Sequence, residues 1–161
     1  DNLQLVDKNV RVIFLASKVS TLNIFDIKKI KEKYELRPDQ IVDLKALKGD
    51  AADNIPGVSG IGIKTAIALL KKFENLENIY TNIDSISGKI KEKLVEEKEM
   101  AFLSKELATI KTDVKFDFDI EKCKWGDFNK EEVVKLFEEF GFKSLISKIP
   151  GVLGGDNLKL F

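Results

Sequence analysis

A glycine-rich segment in the first half of the chain constrains the fold more than any other feature. It reads NIPGVSGIG over residues 54–62, and Gly57, Gly60 and Gly62 allow the backbone to adopt positive φ angles or to approach another segment closely. An apolar pattern with the i, i+3, i+4, i+7 spacing of one helix face follows at Ala66, Leu69, Leu70 and Phe73. The segment therefore predicts a tight hairpin whose second helix begins near Ile63.

The start of that second helix is a predicted anion site. The first amides of a helix have no partner within the helix, and the helix dipole favours a phosphate there. Such a clamp holds a nucleic-acid backbone without reading bases, so binding would be independent of sequence and sensitive to salt. The alternative is an ordinary tight turn between two core helices. The predicted DNA contacts are Gly57, Val58, Gly60, Gly62, Ile63, Lys64 and Thr65, with Lys71 and Lys72 as further phosphate contacts.

An acidic pair precedes the hairpin in the segment GDAADN, residues 49–54. Asp50 and Asp53 are three residues apart, so on a helical turn both carboxylates project from one side and are able to share a divalent ion. A structural interpretation is also open. Asp50 has the properties of a helix N-cap, and Asp53 is a residue that the dipole favours in a first helical turn.

Composition narrows the chemistry available to the chain. There is no histidine and one cysteine, Cys123, which excludes histidine-based acid–base catalysis, Ser/His and Cys/His nucleophiles, an internal disulfide and a cysteine-rich zinc site. Carboxylates remain, and their natural partner is a hard cation such as Mg²⁺ or Mn²⁺. Lys plus Arg and Asp plus Glu each total 27, so any basic surface must come from local clustering. With no apolar run of the ~20 residues that span a bilayer, we expect a cytoplasmic protein without membrane contact.

Hydrophobic periodicity predicts the elements around the hairpin. Residues 9–15 (NVRVIFL) have the composition of a strand buried on both faces. Asp26 is a predicted cap of a short basic helix, and Pro38 the start of another. These two helices, and a third after the hairpin, each have a predicted apolar face. Their predicted inward residues are Ile27, Ile30 and Tyr34 in the first helix, Ile41, Leu44 and Leu47 in the second, and Leu76, Ile79, Tyr80 and Ile83 after the hairpin.

The second half of the chain is predicted to be mostly helical with one strand. A single helix over residues 88–107 would turn Ile90, Leu94, Met100, Leu103 and Leu107 inward. The alternation over residues 114–120 predicts a half-buried strand that returns to the N-terminal sheet. Asn129 is a predicted cap of the last clear helix, and residues 150–161 are a predicted linker.

The order of these motifs resembles one family. GDxxDN followed directly by IPGVxGIGxKTA is similar to the 5′-nucleases, which include the 5′→3′ exonuclease domain of bacterial DNA polymerase I and the flap endonucleases. Residues 1–6 (DNLQLV) look like the family segment DxDxxQLV from its second aspartate. The segments 37–50, 105–114 and 137–145 also match, in the right order. Ala51, Ala52 and Ile63 depart from the residues that many relatives carry, and none of these changes removes a metal ligand.

The resemblance implies a fold. It is α+β and mainly helical, with a helix-three-turn-helix or helix-hairpin-helix (SAM-like) DNA-binding cluster and a few strands from an incomplete PIN-like α/β sheet. The implied domains are a remnant of the α/β nuclease core at 1–25, a helical DNA-binding region at 26–108 with the hairpin at about 50–73, a returning strand and C-terminal helices at 109–149, and the linker.

The resemblance also implies a function. Asp1, Asp50 and Asp53 would be carboxylates of the second site for Mg²⁺ or Mn²⁺, and backbone carbonyls of the hairpin would bind a monovalent cation such as K⁺. The implied activity is structure-specific 5′→3′ exonuclease or flap-endonuclease cleavage of DNA in replication and repair. The first metal site and the residues that hold the 5′ end are absent, so the isolated chain is expected to be inactive. A polymerase domain C-terminal in the parent chain, a monomeric state and nucleoid association are further expectations.

Two other functions fit the same residues. One is a free-standing helix-hairpin-helix module that binds DNA and has no metal response. The other is a helical protein-interaction domain in which the glycine-rich turn is purely structural. Loss of metal binding in an Asp50 variant argues against the first, and salt-dependent DNA binding argues against the second.

Overall fold

The structure is a computed structural model that describes residues 1–15, 22–123 and 128–149. It divides into two compact units, Asp1–Asp113 and Val114–Phe161. The predicted linker 150–161 lies outside the described residues. The strands are β1 (Val12–Leu15) and β2 (Leu22–Phe25), and the helices are α1 (Ile27–Tyr34), α2 (Ile41–Lys48), α3 (Ile63–Phe73), α4 (Leu76–Thr81), α5 (Gly88–Glu96), α6 (Lys98–Ala108), α7 (Lys130–Glu139) and α8 (Lys143–Ile146).

The N-terminal strand exists but is not buried on both faces as predicted. β1 pairs with β2 in an antiparallel two-stranded sheet in which Val12 lies opposite Phe25. Ile13 is 50% exposed and Phe14 42% exposed, because among the described residues no further strand or helix layer covers both sides of so small a sheet. No pattern in the sequence predicts β2, because its four residues are too few for a clear alternation.

Two local signals at the start of the helical region are confirmed. The Asp26 carboxylate accepts a hydrogen bond from the Lys29 amide at 2.7 Å and so caps α1. Pro38 begins a short 3₁₀ turn, Pro38–Gln40, that leads directly into α2. Of the predicted inward residues of α1, Ile30 is fully buried, whereas Ile27 is exposed.

The core of the first unit lies between α2, α3, α4 and α6. The predicted faces of α2 and α3 are buried there, with Leu47 and Leu70 fully enclosed. Gln40 joins the beginning of α2 to the end of α3, because its buried side-chain amide donates to the Leu70 and Glu74 carbonyl oxygens at 3.2 and 2.7 Å. Gln40 therefore links the two helices that flank the segment connecting α2 to α3. Among the described residues, no helix is long and apolar enough to cross a membrane.

The predicted helix at 88–107 is two helices, α5 and α6, which are separated at Glu97. The break changes the phase of the helix, so the predicted inward residues Met100, Leu103 and Leu107 are exposed. The small residues of α6 face the core instead and pack against α2. These buried residues are Ala101, Ser104 and Ala108.

The predicted strand at 114–120 is wrong. These residues form no strand, and the side chains of Val114, Phe116, Phe118 and Ile120 are each 63% exposed or more. Alternation alone does not make a strand, since the backbone needs a partner for its hydrogen bonds. In the same unit, Asn129 caps α7 as predicted by accepting from the amides of Glu131 and Glu132 at 3.1 and 3.3 Å.

Candidate nucleic-acid interface and carboxylate cluster

The structure brings together the three aspartates that the sequence analysis singled out. One carboxylate oxygen from each of Asp1, Asp50 and Asp53 lies within 4.8 Å of the others. Asp1 immediately precedes the 3₁₀ turn Asn2–Leu5, while the other two lie on the loop after α2. We call this group the carboxylate cluster. Its members come from sequence positions about 50 residues apart, so the fold, and not the local spacing, assembles it.

The loop that carries Asp50 and Asp53 is closed by its own backbone. Asp50 and Ile55 exchange two hydrogen bonds, from the Asp50 amide at 2.8 Å and from the Ile55 amide at 2.9 Å. The Asp50 carboxylate accepts from the Ala52 amide at 3.2 Å. The helical turn predicted at Asp50 and Asp53 is therefore a loop closed by the bridge between Asp50 and Ile55. The Asp50 carboxylate accepts a backbone hydrogen bond within this loop and does not cap a helix. The bridge holds both carboxylates on one short, closed segment.

Lys45, on the last turn of α2, supplies a positive charge at the centre of the carboxylate cluster. Its Nζ lies 2.7 Å from an Asp50 oxygen and 3.4 Å from an Asp53 oxygen, and it also contacts the Asp1 carboxylate. Its side chain is only 13% exposed. The hydrogen bond from Lys45 lowers the pKa of the Asp50 carboxyl, which therefore stays ionised well below neutral pH. A cation is thus already part of the electrostatic balance of this cluster.

The donor set fits a hard divalent ion. Carboxylate oxygens are the ligands that Mg²⁺ and Mn²⁺ prefer, and oxygens on opposite sides of one Mg²⁺ lie about 4.2 Å apart, twice the metal–oxygen distance. The 4.8 Å limit within the cluster is close to this value, and small side-chain rotations reduce it further. The Lys45 ammonium now contacts the same three carboxylates, so a divalent ion at this point would have to displace it.

The glycine-rich turn between α2 and α3 is held by four hydrogen bonds, one of which runs from the Ser59 amide to the Glu97 carboxylate at 2.8 Å. The Gly57 amide donates to Ser104 Oγ at 3.0 Å, and the Val58 amide donates to the Leu47 carbonyl at 2.8 Å. The Ile61 amide donates to the Val58 carbonyl at 3.1 Å. Gly57 must be glycine, because a Cβ there would lie 2.2 Å from the Gly49 nitrogen and its φ is +69°. The turn is therefore rigid before any ligand arrives.

A row of amides remains available at the outer side of this turn. The first bond of α3 runs from the Ala66 amide to the Gly62 carbonyl at 3.0 Å, so the preceding amides have no helical partner. Within the described part of the chain they donate to no other group either. This row, which we call the hairpin amides, consists of Gly60, Gly62, Ile63, Lys64 and Thr65.

The structure separates the predicted DNA contacts into two groups. Gly57 and Val58 are buried, and each donates its amide within the protein, so they shape the turn and do not offer an N–H to a phosphate. Gly60 to Lys64 are exposed apart from Ile61, and Thr65 is half-buried. Lys71 and Lys72 lie two turns away, about 10 Å along α3. Lys71 is paired with Glu35, and Lys72 lies over the Phe73 ring at 4.9 Å.

Three residues of the site were missed by the sequence analysis. Lys45 belongs to the segment 37–50 that matches the family, but its lysine spacing gave no sign of contact with the aspartates. Ser104 faces the core on α6, and this inward position follows from the helical periodicity only once the break at Glu97 is known. Glu97 accepts a hydrogen bond from the Ser59 amide at 2.8 Å, and no local pattern connects these two residues.

Comparison with known families and sequences agrees with this geometry. Residues 36–131 match the family model described as 5′-3′ exonuclease, C-terminal SAM fold. The chain is 42% identical over 150 residues to DNA polymerase I of Bacillus subtilis, with 92% of the chain and 17% of that protein covered. It is 43% identical over 151 residues to DNA polymerase I of Caldicellulosiruptor bescii, with 92% and 18% covered. The chain thus spans less than a fifth of the length of these relatives.

Solved structures give the same assignment. T5 5′-exonuclease with bound divalent zinc ions superposes with a TM-score of 0.56 and 26% sequence identity, covering 67% of the present chain and 40% of the exonuclease. A mutant of T5 5′-exonuclease superposes with a TM-score of 0.54 and 25% identity, covering 65% and 42%. The predicted fold class, mainly helical with a SAM-like cluster, is confirmed, and the few strands predicted for an incomplete PIN-like sheet are found as the two-stranded sheet of β1 and β2.

Proposed function

This chain belongs to the 5′-3′ exonuclease family through its C-terminal SAM-fold part, and from that premise we propose that it grips DNA for a metal-dependent 5′→3′ exonuclease or flap endonuclease of replication and repair. The hairpin amides would hold the sugar-phosphate backbone of a duplex without reading its sequence. The carboxylate cluster would contribute part of the metal site. The isolated chain would bind DNA and not cleave it.

One observation carries this proposal: the hairpin amides and two members of the carboxylate cluster, Asp50 and Asp53, lie on the single segment that leads from the end of α2 into the first turn of α3. Asp50 is bridged to Ile55, and Gly57 follows two residues later with its backbone against Gly49. A strand held at the N-terminus of α3 would therefore be bound by the same segment that carries Asp50 and Asp53. Lys64, which is exposed beside the amides, adds a positive charge.

Asp1, Asp50 and Asp53 would hold Mg²⁺ or Mn²⁺. When bound, such an ion supplies Lewis-acid stabilisation of charge on a phosphodiester and of an attacking water. The chain itself would position the ion through the bridged loop and hold the DNA strand through the hairpin. We further propose a monovalent cation such as K⁺ at the hairpin, a monomeric state, a polymerase domain in the parent protein and a cytoplasmic, nucleoid-associated location.

Replacing Lys64 by glutamine is expected to weaken duplex binding about threefold to tenfold, because one phosphate contact is lost. The slope of log K against log salt should decrease by about 0.9, the value for one phosphate in duplex DNA. Fluorescence anisotropy of a labelled duplex at several salt concentrations measures both quantities.

Lys111→Gln is the matched control for this experiment. It makes the same change of charge at an exposed lysine on the segment after α6. Equal effects of the two variants would mean that binding follows net charge and not the hairpin. No salt-dependent association of the wild-type chain with DNA would overturn the proposed function.

Replacing Asp50 by asparagine is expected to reduce Mn²⁺ affinity by tenfold or more, because a charged ligand is lost and the cluster keeps the positive charge of Lys45. Titration calorimetry with Mn²⁺ measures this. Asp39→Asn is the control, since Asp39 is an exposed carboxylate whose partner is Arg37. Equal Mn²⁺ binding by wild type and Asp50→Asn would remove the metal site from the proposal. Robust Mn²⁺-dependent cleavage of a 5′-flap duplex by the wild-type chain would contradict its expected inactivity.

A further inference from the structure

The glycine-rich turn already donates a hydrogen bond to a carboxylate of the protein itself. The Ser59 amide donates to a Glu97 carboxylate oxygen at 2.8 Å, although the two residues are 38 positions apart in the sequence. Glu97 lies at the break between α5 and α6. This hydrogen bond lowers the pKa of the Glu97 carboxyl, so the group is negatively charged at neutral pH.

The position of this carboxylate matters because Ser59 is directly followed by Gly60, the first of the hairpin amides. Ser59 and Gly60 also line one side of a cavity of about 540 Å³ between the turn and α5. Lys89 and Lys93 line the same cavity. Glu92 lines this cavity as well, and Lys93 is paired with Glu96 at 2.7 Å. An entering phosphate would therefore be attracted by the Gly60 amide and by Lys89, and repelled by Glu92 and by Glu97, which also occupies the Ser59 amide.

We propose that Glu97 is a built-in competitor of the DNA phosphate at the hairpin, which occupies the Ser59 amide and sets the affinity of the turn for a phosphodiester backbone. A carboxylate oxygen and a phosphate oxygen accept the same kind of hydrogen bond from an amide. Displacing Glu97 gives the strand one more donor, and retaining it weakens the grip. A nuclease that must release its product and bind again benefits from such a limited affinity. The inference rests on the proposed function, since it presupposes that DNA binds at this turn.

Glu97→Gln separates the role of the charge from the role of the hydrogen bond. The glutamine side-chain oxygen still accepts from the Ser59 amide, so the turn keeps its support while the negative charge disappears. We expect duplex DNA to bind about threefold more tightly, the order of effect of removing one like charge near a phosphate in water. The gain should decrease as salt increases, because the Debye length falls from about 30 Å at 0.01 M to about 10 Å at 0.1 M ionic strength. Fluorescence anisotropy at low and high salt measures both effects.

Glu106→Gln is the matched control. Glu106 is an exposed carboxylate on α6, the helix that begins directly after Glu97, and lies nine positions further on and about 13 Å along the helix axis. It makes the same change of net charge away from the turn, so its effect on affinity should be small. Thermal unfolding of both variants should match that of the wild type.

The outcomes are distinguishable. Tighter binding by Glu97→Gln than by Glu106→Gln supports the competitor role. Equal affinities of the two variants, or weaker binding by Glu97→Gln with a lower Tm, would overturn it and leave Glu97 as a support of the turn. If the wild-type chain shows no association with DNA, the proposed function fails first. In a Glu97→Ala variant, the Ser59 amide resonance should shift on addition of duplex, and an unchanged resonance would also count against the inference.

Discussion

Replacing Gly57 by alanine is expected to cost about 4 kcal/mol of folding free energy, from overpacking and from a left-handed backbone conformation of a non-glycine residue. A Cβ at this position would lie 2.2 Å from the Gly49 nitrogen and 2.7 Å from the Gly49 Cα. These atoms are backbone, and the Gly49 amide is held by the Lys45 carbonyl at 2.9 Å, so they have little freedom to move aside. Urea denaturation followed by circular dichroism measures the loss.

Gly60→Ala is the matched control for this variant. Gly60 also has a positive φ, +80°, but a Cβ there would meet no atom within 4 Å. The strain of the backbone conformation remains and the collision does not, so the expected cost is about 1 kcal/mol. If both alanine variants lost the same free energy, the close contact between Gly49 and Gly57 would have no energetic weight.

Replacing Lys105 by methionine is expected to cost about 3 kcal/mol, because it leaves a buried carboxylate without its counter-ion. Asp43, on α2, is 3% exposed, and one of its oxygens lies 2.7 Å from Lys105 Nζ on α6. Lys105 also pairs with Glu77 of α4 at 2.7 Å. Methionine keeps most of the apolar length of the lysine, so the loss reports mainly on the charge.

The cost of this change should depend on pH. Burial raises the pKa of the Asp43 carboxyl although the hydrogen bond from Lys105 opposes the rise. A carboxyl with a higher pKa in the folded protein destabilises the fold progressively as the pH rises from the unfolded value, about 3.9, through the folded value. Without Lys105 that pKa rises further, so the deficit of the variant should be smaller at about pH 5 than at about pH 7.5.

Lys91→Met provides the comparison. Lys91 forms an ion pair with Asp84 at 2.8 Å, but the Asp84 side chain is almost fully solvated, so the variant should retain nearly all of its stability. Urea denaturation at both pH values measures the two variants in parallel. A loss in Lys105→Met no larger than in Lys91→Met would show that the buried pair does not stabilise this fold.

Local signals in the sequence predicted those parts of the fold that depend on local interactions. The Asp26 cap, the start at Pro38 and the apolar face of α3 each involve residues within two turns of one another, and all three are present. The helix at 88–107 failed because its break at Glu97 has no glycine or proline to mark it. The strand at 114–120 failed because pairing depends on a partner elsewhere in the chain, which a single segment does not reveal.

In the candidate site, too, the features that depend on local sequence were predicted, and those that depend on contacts between distant segments were not. Glycine spacing and the order of motifs located the turn, the acidic pair and the family. The Lys45 contact with three aspartates and the Ser104 support of Gly57 both arise from packing between distant elements. Predicting Gly57 and Val58 as phosphate contacts was reasonable for a glycine-rich turn, but burial of their amides depends on α2 and α6, which the local sequence does not contain.

The contact between Gly49 and Gly57 fixes the distance between the two ends of the loop that carries Asp50 and Asp53. Because the Gly57 backbone packs against Gly49 and Asp50 is bridged to Ile55, the separation between Asp50 and the start of α3 is set by contacts within this one loop. Under the proposed function, this loop would fix the spacing between a bound strand and Asp50, whereas substitutions on the surrounding helices would change how firmly that strand is held.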